Sequence, residues 1–189
     1  MPLVLGVTGP NAAGKGEVSA VLAGMGFAIH SLSDIVREEA AARGLGTERE
    51  HLIRVGTELR ERFGSGVLAE RLVARLGGRD VVDSVRNPAE VSVLRGTPGF
   101  VLVGIRSDAA LRFERSRRRA RPGDPETFDH FAARERQENS ANPAGQQLQA
   151  TFRLADRVLD NDGNLDELRA KVGRLVAELE SADRRQRRG

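Results

Sequence analysis

Short apolar runs alternate along this chain with longer stretches in which apolar residues recur every three to four positions. Leu3-Val4-Leu5-Gly6-Val7-Thr8 opens the series. Phe27-Ala28-Ile29-His30, Asp80-Val81-Val82-Asp83-Ser84-Val85, Phe100-Val101-Leu102-Val103-Gly104-Ile105 and Arg157-Val158-Leu159-Asp160 follow. Glycine, proline or short polar clusters bound the runs. The alternation predicts an α/β chain: five parallel strands in one sheet, with helices on both faces.

The helix signals fill the gaps. A helix is predicted from Gly14 to about Gly24, where Gly24 and Gly26 close it. Ser33 reads as the N-cap of the next helix, and Gly44 stops it. Thr47-Glu48-Arg49-Glu50 fits a capping box that starts a helix running to about Arg62. Another helix follows Gly64 and ends at Gly77-Gly78. Asn87-Pro88 opens a short helix, with proline at a favourable first-turn position. A helix from about Asp108 runs into an arginine cluster. Arg121-Pro122-Gly123-Asp124-Pro125 breaks the chain, and Thr127 to about Ser140 is helical and highly charged. Asn142-Pro143 punctuates before a further helix, and an amphipathic helix closes the chain after the turn Asn161-Asp162-Gly163-Asn164. No internal repeat or interdomain linker is visible.

The turn after the first strand carries the sharpest signal. Gly9-Pro10-Asn11-Ala12-Ala13-Gly14-Lys15-Gly16 fits the spacing G-x-x-x-x-G-K of a phosphate-binding loop, in the strand–turn–helix context that the motif requires. Backbone N–H groups of such a turn converge on phosphate oxygens, and the helix N-terminus adds positive potential. Lys15 is placed to reach the terminal phosphates. Gly9, Asn11, Ala12, Ala13, Gly14, Lys15, Gly16 and Glu17 are therefore the candidate residues for binding ATP. The residue after the lysine is usually Ser or Thr, whose hydroxyl binds Mg²⁺. Here it is Gly16, followed by Glu17, whose role is left open.

Composition narrows the class. The chain has 189 residues, no Cys and three scattered His, so disulfides, thiolate chemistry and a zinc motif are excluded. No apolar stretch approaches the roughly 20 residues of a membrane span, and the N-terminus lacks a signal-peptide pattern. A cytoplasmic enzyme is the expectation. The net charge is +3, and the last seven residues, with four Arg and one Asp, supply it. The rest is neutral, so no nucleic-acid partner is expected of the fold. Residues 183–189 read as a basic, solvated tail. Lys15 and Lys171 are the only lysines, and arginine takes nearly every other basic position.

Five further features line up as phosphoryl transfer requires. Ser33, Asp34 and Arg37 follow the second strand at the carboxyl edge of the sheet, where open α/β sheets bind ligands. Arg37 is a candidate fork for an acceptor phosphate; a capped surface helix with a solvated arginine is the plainer alternative. Asp83, at the tip of a buried strand, is placed to orient Mg²⁺ through water, and Arg86 to reach the acceptor. Arg119, Arg121 and Arg134 are candidates for a mobile lid that stabilises the transferring group and excludes water. Arg60 and Phe63 lie on helices that would cover the acceptor, Arg60 toward phosphate and Phe63 toward a base; amphipathic packing explains them equally well. Asp162 and Gly163 are candidates for receiving adenine, or an ordinary turn.

In this order the motifs resemble the adenylate-kinase-like branch of P-loop kinases over nearly the full length. The closest likeness is to small nucleotide kinases similar to adenylate kinase and dephospho-CoA kinase. The carrying segments are Asp34-Ile35-Val36-Arg37-Glu38-Glu39, Asp83-Ser84-Val85-Arg86, Arg112-Phe113-Glu114-Arg115, Asp124-Pro125-Glu126-Thr127-Phe128, and Ala155-Asp156 through Asn161-Asp162-Gly163. Asp83 to Glu90 also resembles a stretch of phage deoxynucleoside monophosphate kinases. The loop is similar to the kinase-like half of some deoxycytidylate deaminase fusions, though the deaminase zinc motifs are absent.

The resemblance implies a three-layer P-loop NTPase fold in one domain over 1–182, with an acceptor-binding insertion at about 31–78 and a lid at about 116–140. It implies ATP and Mg²⁺ as cofactors and a nucleoside or deoxynucleoside monophosphate as acceptor. A dephospho-CoA-type acceptor, with Asp34 as base, and a non-catalytic nucleotide-binding module are the alternatives.

Overall fold

The computed structural model describes residues 2–120, 124–139 and 142–186. Strands β1 (Leu3–Thr8), β2 (Ala28–Ser31), β3 (Arg79–Asp83), β4 (Phe100–Arg106) and β5 (Arg157–Asp160) form one parallel sheet in the order β2-β3-β1-β4-β5. β1 is central, and all six of its residues are buried. A parallel strand covered on both faces reads as an unbroken apolar run, which is why this segment stands out in the sequence.

Side chains of β1 alternate between two cores. Val4 joins Leu32, Leu59 and Leu68 on one face. Leu3, Leu5 and Val7 join Val18, Leu22 and Val172 on the other. Gly6 faces the Phe100 ring so closely that a Cβ there would stand 2.7 Å from it.

Helices cover both faces. α1 (Lys15–Gly24) and α9 (Leu165–Gln186) lie on the Leu5 side; α2 (Leu32–Ala42), α3 (Arg49–Phe63), α4 (Val67–Val73) and α5 (Pro88–Leu94) lie on the Val4 side. α6 (Ala109–Arg119), α7 (Phe128–Glu138) and α8 (Leu148–Arg153) join β4 to β5. From β1 the chain steps through α1 toward β2, then from β3 it crosses β1 through α5 to reach β4. Right-handed crossovers require such opposed steps to use opposite faces. The reversal leaves a crevice at the carboxyl end of β1, where open α/β sheets bind ligands.

Several local expectations change. The N-cap of α2 is Ser31, whose hydroxyl accepts from the Ser33 N–H, so Ser33 lies inside the first turn. The Thr47 capping box does not form: Glu48 is the N-cap of α3 and caps with no side-chain bond. At Asn87 the capping box does form, with Glu90 as its second member. β3 ends at Asp83, because Ser84 turns into the left-handed region at φ 65°. α9 continues to Gln186, into the segment read as a solvated tail.

α7, in the segment read as part of a mobile lid, has apolar anchors. Phe113 of α6 sits edge-on to Phe128 at 5.8 Å between ring centroids, and Phe131 is 5.8 Å from Phe113. Phe131 is fully buried. α7 is thus pinned to α6 by an aromatic cluster, and Arg112 adds an ion pair to Glu135.

Candidate functional site

The loop from Gly9 to Lys15 keeps its shape through backbone conformations that few residues adopt. Gly9 has φ 141°, and a Cβ there would meet the Ile105 carbonyl oxygen at 2.3 Å. Gly14, the N-cap of α1, has φ 96°, and a Cβ would stand 2.0 Å from Asn161 Nδ2. Both positions need glycine. Asn161, just past β5, donates from Nδ2 to the Ala13 carbonyl oxygen at 2.9 Å and locks the loop against the sheet edge. Ala12 adds a third left-handed residue at φ 58°.

Lys15 folds back along this loop. Its Nζ donates to the carbonyl oxygens of Gly9 and Pro10, both at 2.9 Å. Burial pushes its pKa down to about 8, and the neighbouring charges of Arg86, Arg112 and Arg119 push the same way, while Asp83 opposes them. An ammonium held against burial and like charge is well placed to gain from an anion. Gly16 and Glu17 are exposed at the start of α1, and the space beside Gly16 is open.

The loop opens onto a cavity of about 500 Å³ between the sheet edge and α2, α3 and the 146–148 segment. Gly9, Asn11 and Lys15 form one end. Val36, Leu52, Ile53 and Leu68 supply an apolar wall. Arg37, Arg49, Arg86 and Arg119 bring guanidinium groups to it. Arg49, Leu52, Ile53, Gly56 and Arg60 fall at helical spacing, so α3 presents one face to the cavity.

The site residues expected from the sequence fall into three groups. Lys15, Ser33, Arg37, Arg60, Arg86 and Arg119 all line the cavity. Asp83 does not, yet its charge acts on both Lys15 and Arg86, and its Oδ1 accepts from the Ser84 N–H at 2.7 Å. Asp34 also lies outside the lining; it is exposed and paired with Arg37. Asp162 and Gly163 lie past Asn161, outside the cavity. Asp162 accepts from the Asp108 N–H at 2.8 Å, and that bond holds its carboxyl below the ordinary range. Arg134 is half-buried on α7 and outside the lining, though its charge bears on Arg49. Arg121 lies outside the described residues. Phe63 is exposed, away from the cavity, and sits against Arg62 and Arg71.

Arg60 differs from its expected form. Its guanidinium is bound to Glu90, from Nη2 to Oε1 at 2.7 Å, and to the Gly56 carbonyl oxygen at 3.3 Å. The side chains are 7% and 0% exposed. A fork committed to a buried carboxylate is a structural tie rather than an open phosphate receptor.

Sequence reasoning passed over three residues. Arg49, the first residue of α3, lines the cavity; burial lowers its pKa first, then the charges of Arg134 and Arg86, against Asp124. Arg112 is buried on α6, donating to the Ser107 and Asn11 carbonyl oxygens at 3.0 and 3.2 Å. Glu90 is the buried partner of Arg60. The Asn87 capping box was a visible signal for Glu90, and the Arg112-Phe113-Glu114-Arg115 segment for Arg112; Arg49 had none.

Among the described residues no group of three or more His, Cys, Asp or Glu could hold a metal. Asp83 is the nearby acid, and Gly16 offers no hydroxyl. Among the described residues, too, no helix is long and apolar enough to cross a membrane.

Comparison with known proteins adds family and fold. No protein-family model matches the chain. It is 38% identical over 181 residues to a UPF0200 protein of Hyperthermus butylicus, covering 94% of this chain and 95% of that one. It is 34% identical over 186 residues to a UPF0200 protein of Thermococcus kodakarensis, covering 94% and 98%. Among solved structures, a shikimate kinase from Bacteroides thetaiotaomicron superposes with a TM-score of 0.60 at 14% identity, covering 95% of this chain and 99% of that one. A gluconokinase from Sinorhizobium meliloti gives 0.52 at 16% identity, covering 96% and 97%. The fold is that of P-loop kinases.

Proposed function

The chain belongs to the UPF0200 family of archaeal proteins, and we propose that it transfers the γ-phosphoryl group of ATP to a nucleoside or deoxynucleoside monophosphate, giving ADP and the diphosphate. One observation carries this reading: the Lys15 loop opens into a cavity where Arg37, Arg86 and Arg119 stand beside an apolar wall. Arg86 suits a phosphate directly, Arg37 and Arg119 would reach it by leaving their pairs with the exposed Asp34 and with Asp124, and the wall of Val36, Leu52 and Ile53 suits the rest of a nucleoside.

In this reading the backbone of Gly9 to Gly16 cradles the ATP phosphates and Lys15 holds the β- and γ-oxygens. Glu17 stands at the rim of that cradle. Asp162 and Gly163 border the adenine. Arg86, with Arg37 and the Ser33 hydroxyl, orients the acceptor phosphate. Arg119 neutralises the group in flight, and Arg134 belongs to the same lid. Asp83 would hold water of a nucleotide-bound Mg²⁺, which supplies charge neutralisation on the phosphates. A phosphate acceptor is already an anion, so its attacking oxygen needs no base. The exposed, Arg37-paired Asp34 suits that mechanism better than one in which it deprotonates a hydroxyl.

A coupled assay of ADP formation, run with ATP against every common ribo- and deoxyribonucleoside monophosphate, tests the reading. Acceptor-dependent turnover with at least one is expected. ATP binding without such turnover would point to a non-catalytic module, and turnover only with a hydroxyl acceptor to a different kinase class.

A further inference from the structure

Glu90 is fully buried, yet it is not a core residue in the ordinary sense. Its Oε1 accepts from Arg60 Nη2 and Nε at 2.7 and 3.3 Å. Its Oε2 accepts from the backbone N–H groups of Arg86 and Asn87 at 2.8 and 3.1 Å. One carboxylate thus joins α3, the helix that covers the cavity, to the turn that carries Arg86. Asn87 extends the tie: its Nδ2 donates to the carbonyl oxygens of Pro143 and Gly145 at 2.7 and 3.0 Å. The Arg86 carbonyl oxygen in turn accepts from the Gln147 N–H at 2.9 Å. Among the described residues, the Arg86 side chain makes one hydrogen bond, to Gln146 Oε1 at 3.2 Å. Its direction is therefore set mainly by the backbone of its own turn, and Glu90 holds that backbone.

A buried charge costs free energy unless it is paired and its remaining lone pairs are satisfied. A well-packed apolar side chain would cover α5 equally well, and an α5 capping box on the surface would need no partner from α3. The full satisfaction of Glu90 from two separate elements fits a requirement for geometry.

We infer that Glu90 is a positioning residue: by gripping the Arg86–Asn87 turn and Arg60 at once, it aligns Arg86 on the acceptor phosphate and couples that alignment to the docking of α3. The inference rests on the reading of the cavity as a phosphate-acceptor site. It predicts that Glu90 acts on the acceptor through Arg86 and leaves the ATP loop alone.

The test compares wild type, Glu90→Gln, Arg86→Gln and the double variant, using the best monophosphate from the acceptor panel, with ATP affinity measured by calorimetry. Glu90→Gln is expected to lower kcat/KM for the acceptor by about 10- to 100-fold, the scale of a misaligned reacting group, with ATP affinity within about twofold. In the Arg86→Gln background the same change is expected to cost less than about threefold, since residues acting as one unit are not additive. A merely structural role predicts losses that multiply and reach ATP as well. Acceptor kinetics unchanged in a folded Glu90→Gln protein, or fully multiplicative losses, overturn the inference while wild-type turnover upholds the acceptor site. No acceptor-dependent turnover in wild type overturns both. If Glu90→Gln does not fold, Arg60→Lys takes its place, loosening the same grip: an acceptor-only loss supports the inference and unchanged acceptor kinetics overturn it.

Discussion

Lys15 Nζ donates to the carbonyl oxygen of Gly9 at 2.9 Å, so the cation at the start of α1 closes the loop that precedes it. The Lys15 ammonium is held against burial and against the charges of Arg86, Arg112 and Arg119. Its position therefore has a cost in the free chain that a bound polyphosphate would offset. Lys15→Ala is expected to leave the fold intact and to lower kcat by about 10²-fold or more, the usual effect of removing one preorganised charge from the transferring group. Circular dichroism and steady-state turnover on the same preparation check both halves.

A pH effect follows from the same residue. The lysine pKa falls from 10.5 to about 8 on folding. The unfolded chain therefore keeps a proton between those values that the folded chain releases, and this group's contribution to stability rises with pH across that window. Below pH 8 both states hold the proton and the cost is constant. A triphosphate bound at Lys15 would restore the ammonium, so just above pH 8 its binding is expected to take up protons. Calorimetry of nucleotide binding in two buffers of different ionisation enthalpy reads this directly; identical heats in both would mean that Lys15 does not meet the phosphates.

Arg86 and Arg37 are expected to separate in size. Arg86 is the more buried, and Arg37 is exposed and already tied to Asp34. Arg86→Ala is expected to raise the acceptor KM by about 10- to 100-fold, the scale of a charge-assisted hydrogen bond. Arg37→Ala is expected to raise it by less than about fivefold, as for an exposed ion pair. ATP KM should change little in either case. A change confined to ATP would put the acceptor elsewhere.

The aromatic cluster makes its own prediction. Phe131→Ala removes the buried ring that fixes α7 to α6 and is expected to cost about 3 kcal/mol or more of local or global stability. Amide exchange should speed up over α7 with little change in β1. In the intact protein, ATP plus a monophosphate analogue should slow exchange in α7 through Arg119 and its neighbours. Equal protection of α7 with and without ligand would remove it from the lid.

The sheet and the phosphate loop were legible because their chemistry is local. β1 is buried on both faces and so is apolar throughout, and the loop must follow it at once. Asp83 and Arg86 stood out for the same reason, at the tip of a strand. The Arg60–Glu90 pair was illegible because thirty positions separate the partners, and only packing of α3 against the β3–α5 turn brings them together. Ser31 and Ser33 are equivalent caps by sequence; the strand runs one residue further than its apolar pattern, and Ser31 takes the cap. The apolar anchors of α7 were hard to see because Phe113, Phe128 and Phe131 are spread over two helices and a break. Arg49 was hidden in a segment that fits a capping box, although Glu48 caps α3 without using its side chain.

Label transfer tests the central claim most directly. With [γ-³²P]ATP and the preferred monophosphate, the account predicts that label moves into the nucleoside diphosphate, that little appears as inorganic phosphate, and that Lys15→Ala slows the transfer by about 10²-fold or more. Label released only as inorganic phosphate, at a rate indifferent to the monophosphate, would contradict it.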